Sequence, residues 1–229
     1  MINKYEKMDN LKEKFFSNVF FKLSLVFIIL GFFPLFIIDK GTAVQWVNSN
    51  IASPKLDFVF MNITHLGDGL VWLFITLALL FVKYAYAIIA VITAIFNLLF
   101  TSLFKQLLFK GLPRPTAHFE QGTFEHLIEG FTYHSSNTFP SGHTMTAFAA
   151  AFLISFFIKN TTIRVLMFIL ALLAGFSRIY LLLHFYIDVY FGAILGLICF
   201  AIAIFLYTKI FTNEKNKILS GSLADLFKR

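Results

Sequence analysis

Long apolar runs separated by short polar ones dominate this chain. A run of about 17 to 25 apolar residues can cross a bilayer core of about 30 Å as a helix. Six runs fit: residues 19–38, 66–82, 84–104, 144–158 with its flanks, 163–183 and 187–208. The second opens on Gly67 and Asp68, a polar start for a span. The last two are almost continuous, yet 46 residues of helix would extend about 69 Å, so the chain must reverse between them, near 178–188. Lys12, Lys14 and Lys22 precede or enter the first run in the manner of a signal peptide. It is longer than an apolar signal region of about 7 to 15 residues and no small-residue cleavage site follows Pro34 and Asp39, so it reads as a membrane helix. No repeat or low-complexity linker interrupts the series. The pattern predicts an all-α fold: one domain over residues 1–229, with six transmembrane helices in a single bundle.

Composition agrees with a bilayer as solvent. The chain is 59% hydrophobic and 14% charged, holds 32 phenylalanines and has a mean hydropathy of +0.80, which places it outside soluble domains. The aromatics then serve as lipid-facing or packing surface, and Trp46 and Trp72 as interfacial or packing residues. Cys199 is alone, so no disulfide framework and no cysteine metal site is available.

An even number of spans puts both termini on one side. That side holds 13 of the 19 basic residues: Lys4, Lys7, Lys12, Lys14, Lys22, Lys83, Lys159, Arg164, Lys209, Lys215, Lys217, Lys228 and Arg229. Lys40, Lys55, Lys105, Lys110, Arg114 and Arg178 lie on the other. The positive-inside rule makes the termini cytoplasmic. Anionic lipid headgroups account for the net charge of +7 without nucleic acid as a partner.

The same parity gathers the chemistry. Lys105 and Arg114 follow the third span, Ser141, Gly142 and His143 stand before the fourth, and Arg178, His184 and Asp188 surround the last reversal. All fall on the non-cytoplasmic side. Charge at membrane depth costs several kcal/mol unless it is paired or faces a polar cavity, which favours one shared site. Lys105, Arg114 and Arg178 could clamp a phosphate, with backbone N–H groups at Ser141 and Gly142 as an anion cradle at a helix start. His184 and Asp188 are four apart, on one face of a local helix, so the carboxylate could set the tautomer of the ring. A transporter of an anionic solute would also gather cations, but would have no need of a His184/Asp188 pair together with a second histidine.

These residues form three ordered patterns: Lys105 with Arg114-Pro115, then Pro140-Ser141-Gly142-His143, then Ser177-Arg178 with His184 and Asp188. In this the chain resembles the type 2 phosphatidic acid phosphatases, over 105–188 by motif. The second and third motifs match in full. The first departs: six residues commonly separate its lysine from its arginine, and here QLLFKGLP makes eight; Lys110 fits worse. The resemblance implies a membrane lipid phosphatase without metal or other cofactor, acting at the outer face of a bacterial inner membrane. In it His184 is the nucleophile that forms a phosphohistidine, Asp188 orients it, and His143 protonates the leaving oxygen and later activates water. Lys105, Arg114, Ser141, Gly142 and Arg178 hold the phosphate oxygens. Undecaprenyl diphosphate, lipid A, phosphatidylglycerol phosphate and phosphatidic acid share that phosphate, and a lipid phosphotransferase would use the same site. His65, His118, His126 and His134, taken singly, read as interfacial or hydrogen-bonded residues. The connection 106–140, with Glu120, Glu125 and Glu129 among Phe119, Phe124 and Phe131, reads as a solvated or interfacial loop, with a headgroup-selecting lid as the alternative; residues 40–65 read as a second interfacial connection.

Overall fold

A computed structural model of the chain describes residues 4–211, 219 and 221–225. Lys215, Lys217, Lys228 and Arg229, which enter the charge count above, lie outside the described residues. The fold is all-helical: α1 Lys4–Ser17, α2 Val19–Phe32, α3 Pro34–Ile37, α4 Thr42–Asn50, α5 Pro54–Ile63, α6 Gly69–Val82, α7 Tyr84–Ser102, α8 Pro115–His118, α9 Gly142–Phe157, α10 Thr161–Tyr180 and α11 Tyr186–Phe211. A 3₁₀ turn, Thr64–Gly67, joins α5 to α6, and a π-helical turn, Leu103–Leu108, ends α7.

Among the described residues, four helical segments are long and apolar enough to cross a bilayer alone: Val19–Ile37, Tyr84–Leu108, Thr161–Tyr180 and Tyr186–Phe211. A fifth appears if α5 and α6, bent by 53° at their junction, count as one span. The chain reverses at 181–185, inside the window expected for it. The segment 40–65, expected as an interfacial connection, is largely helical, as α4 and α5, each too short to register over a span-length stretch.

The most enclosed helix is α9, only 16 residues long. α9 packs against α10 and α11, and Phe148, Phe152 and Phe156 on it are buried among Phe15, Phe20 and Phe200. Stacked and edge-on ring pairs run through this layer, as between Phe20 and Phe152 at 5.1 Å and Phe156 and Phe200 at 5.4 Å. Other aromatics, such as Phe36 and Phe58, are exposed on the outside of the bundle, where lipid is the solvent. Trp72 packs inside, whereas Trp46 is exposed.

Most polar side chains in this interior are paired, as an apolar medium favours, while Trp72 Nε1, Asn97 Nδ2 and Arg178 Nε are buried without a hydrogen-bond partner. Asn18 caps α2 through the Phe20 N–H, donates to the Ser155 carbonyl at 3.2 Å and accepts from the Ser155 hydroxyl at 2.9 Å, tying α2 to α9. Tyr186 and Tyr190 donate to the carbonyls of Gly31 and Ile28, tying α11 to α2. Gly192 sits where α11 crosses the start of α9: a Cβ there would lie 2.8 Å from the Ser141 carbonyl oxygen, so only glycine permits this approach.

Candidate active site

The start of α9 and the turn before α11 are joined directly. The Ser141 N–H donates to the Asp188 carbonyl at 3.0 Å, so that N–H is engaged and is not part of an anion cradle. The Ser141 hydroxyl caps α9, accepting from the Thr144 N–H at 3.4 Å and the Thr144 hydroxyl at 2.8 Å. The N–H groups left without an intrahelical acceptor by position are those of Gly142 and His143.

His184 lies in the turn between α10 and α11, outside both long helices, and is 1% exposed. Its backbone N–H donates to the Arg178 carbonyl at 3.1 Å, which folds the turn back over the end of α10. The Nδ1 atom is 3.4 Å from Asp188 Oδ2 and 3.4 Å from the Thr138 hydroxyl. That is a long contact, because the same oxygen accepts from the Phe185 N–H at 2.9 Å and from the Thr138 hydroxyl in a short hydrogen bond. Asp188 thus holds the turn first and the ring second. Complete burial pushes the His184 imidazole down to about 3, with Arg114 and Arg178 adding to the effect and Asp188 opposing it.

Arg114 is the N-cap residue of α8, and burial lowers the proton affinity of its guanidinium. Nε donates to the Ser136 carbonyl at 2.9 Å and Nη1 to the Leu183 carbonyl at 3.1 Å, so Arg114 also braces the His184 turn. The ends of the 106–140 connection are zipped beside it: Arg114 N to the Ser135 carbonyl, Thr138 N to the Leu112 carbonyl, and Gly111 N to the Asn137 side chain. Arg178, in the last turn of α10, donates from Nη1 to the Thr64 hydroxyl at 2.6 Å, while its Nε is buried with no hydrogen-bond partner.

Lys105 sits within the π-helical turn, half-buried, and Arg114, Arg178 and Asp188 all lie within Coulombic reach of it. Lys110 is exposed. Between Lys105 and Arg114 the chain completes the wide π turn and then passes through Gly111 at φ 81°. His143, in the first turn of α9, lies within reach of Arg178 and Lys105, so all eight residues singled out from the sequence meet in one place.

Three further residues join them without any motif to mark them: Thr138, Thr64 and Asp68. Asp68 Oδ1 is 2.7 Å from His143 Nε2, and its Oδ2 is 2.6 Å from His65 Nδ1. His126 has a structural place. Its Nε2 meets both oxygens of Asp57 at 2.9 Å, Tyr180 donates to the same carboxylate at 2.7 Å, and Asn48 pairs with the His126 backbone. The connection is thereby docked on α4 and α5, with Phe119, Phe124 and Phe131 packed on the buried cluster around Phe185 while Glu120, Glu125 and Glu129 face outward.

Two solved structures carry a similar arrangement of helices. Aquifex aeolicus LpxE is 28% identical, with a TM-score of 0.58 over 70% of this chain and 92% of that one. The first transmembrane PAP2 type phosphatidylglycerolphosphate phosphatase from Bacillus subtilis is 21% identical, with a TM-score of 0.56 over 82% of this chain and 98% of that one. No curated protein matches the chain. Residues 83–213, which contain all three motifs and more than half of the sequence, match the PAP2 superfamily, and the chain belongs to that superfamily.

Proposed function

We propose that this chain is a multi-pass membrane phosphatase that hydrolyses a lipid phosphate or diphosphate through a phosphohistidine on His184. The observation that carries this reading is Arg178 Nε: a buried guanidinium donor without a partner, beside Lys105 and Arg114 and next to a buried imidazole. Buried donors are nearly always satisfied, and a phosphate oxygen is the acceptor that suits an arginine cluster.

The steps follow from the ring environments. Nδ1 of His184 faces Asp188 and Thr138, which leaves Nε2 to attack phosphorus. As the N–P bond forms, the P–O bond to the lipid breaks and His143 gives its proton to the departing oxygen. Water then attacks the phosphohistidine, His143 takes the water proton, and the N–P bond breaks to release phosphate. Lys105, Arg114, Arg178 and the N–H groups of Gly142 and His143 stabilise the equatorial oxygens, and Ser141 holds the helix start that aims those groups. This transfer needs mainly positioning and fixed charge.

A lipid substrate is favoured by an apolar groove of about 980 Å³ that reaches Asp188 and is lined by Ile38, Phe104, Phe109, Phe139, Phe191 and Ile198. Its walls suit acyl or prenyl chains, with the headgroup at the cations. Undecaprenyl diphosphate, lipid A, phosphatidylglycerol phosphate and phosphatidic acid all fit that description. The purified protein should release inorganic phosphate from at least one of them in detergent micelles, at a rate unchanged by EDTA because the charge is carried by side chains. Phosphoryl transfer to a second lipid without free phosphate would make it a phosphotransferase, and a strict requirement for added metal would overturn the mechanism.

We further propose a single domain with six crossings of a bacterial inner membrane: the four long segments, the bent α5/α6 pair, and α9, whose 16 residues rise about 24 Å. The basic-residue count puts the site at the outer face. In a background with Cys199 replaced, a cysteine at Glu125 should react with a membrane-impermeant maleimide on intact cells and one at Lys159 should not. The reverse pattern would place the site inside.

A further inference from the structure

The junction between α5 and α6 touches two motif residues from outside the motifs. Thr64 accepts from Arg178 Nη1 at 2.6 Å, and Asp68 lies 2.7 Å from His143 Nε2. Gly67 lies against the His143 backbone, where a Cβ would come within 2.5 Å of its carbonyl oxygen. The 3₁₀ turn that carries them packs on both α9 and α10.

Asp68 occupies the N-cap position of α6, where an aspartate ordinarily accepts from the first N–H groups of the helix. It makes no such bond. Its two oxygens go instead to different histidines, His143 on the site side and the more exposed His65 on the other. The histidines approach separate oxygens, so this is not a convergent metal-binding geometry.

Resting on the phosphatase reading above, we infer that Asp68 is a positioning residue for His143: it holds Nε2 and thereby presents Nδ1 as the proton donor to the leaving oxygen. The arrangement inverts that of His184, where Nδ1 is held and Nε2 is free. The carboxylate on the ring also offsets, by its charge and hydrogen bond, the burial of the ring first of all, and then the charges of Arg178 from α10 and Lys105 from the π turn, all of which act against the imidazolium that a general acid must be. His65, linked to the other oxygen of Asp68, gives the pair a contact on the solvent side.

The test is the pH profile of phosphate release by the purified full chain. Asp68→Asn should lower kcat about 10-fold to 100-fold with little change in KM, and should move the alkaline limb of kcat/KM to lower pH by about one unit. Asp68→Glu should restore the limb. Because the native carboxylate does not cap α6, neither Asn nor Ser removes a helix-capping bond, and Asp68→Ser should give the same shift as a second neutral variant. Thr64→Val, in the same turn, should lower kcat through Arg178 and leave the limb in place. A wild-type limb in either neutral variant would overturn the inference while leaving the phosphatase reading intact. Failure of the wild type itself to release phosphate would instead remove the reading on which it rests.

Discussion

His184→Ala should lose phosphate release by at least about 10⁴-fold in kcat, since removing a nucleophile from a unit of interdependent groups forfeits most of their joint effect. Wild-type protein quenched rapidly without acid during turnover of labelled substrate should carry an acid-labile, base-stable phosphoryl group, and the alanine variant should carry none. The geometry explains why this ring suits the task. Its Nδ1 is directed at Asp188 and Thr138, its backbone is pinned to Arg178, and the turn is braced from the far side by Arg114. Burial holds the imidazole down to about 3, so at about pH 5 and above it is neutral and its lone pair is available. An acid limb near the ordinary histidine value of about 6.5 would therefore belong to another group. Substantial turnover by the alanine variant, or a phosphoprotein stable to acid, would remove His184 from the nucleophile role.

The parts of this site that lie close along the chain were legible before any coordinates. Pro140 to His143, and Arg178 with His184 and Asp188, are local patterns, and the structure joins them through the Ser141 N–H and the Asp188 carbonyl. Residues contributed from a distance were less so. Asp68 stands out in the sequence as a carboxylate at the start of an apolar run, between Gly67 and Gly69, and it read as a weakness in a span. Its use becomes visible only when the 53° bend sets it against His143. Thr138, two residues before Pro140, has no distinguishing neighbour in sequence and is fixed by hydrogen bonds to residues some fifty positions later. The helices α4 and α5 escaped notice for a different reason. They hold 9 and 10 residues, and hydropathy averaged over a span-length window dissolves elements of that size into their polar flanks. The π turn that carries Lys105 was likewise not legible, since no residue in Leu103–Leu108 marks the sequence for it.

Arg178→Ala should lower kcat/KM about 10³-fold, the scale seen when one donor to a developing oxyanion or a transferring phosphoryl group is removed. Two features argue that the guanidinium, and not merely a positive charge, matters. Nη1 is committed to Thr64, which fixes the plane of the fork, and Nε is left buried and unsatisfied until an acceptor arrives. A lysine ammonium is a point charge on a flexible stem and cannot hold Thr64 in this geometry while also reaching the same phosphate oxygen. Arg178→Lys should therefore recover less than about a tenth of the lost rate, although it keeps the charge. The loss should fall more on kcat than on KM, because the equatorial oxygens draw on these donors most strongly as the transferring group passes between oxygen and nitrogen. Thermal unfolding of both variants in the same detergent separates this from simple loss of packing at a side chain that is 6% exposed. An Arg178→Lys protein within about threefold of wild type would show that charge alone suffices, and the partnerless Nε would then have no part in holding phosphate.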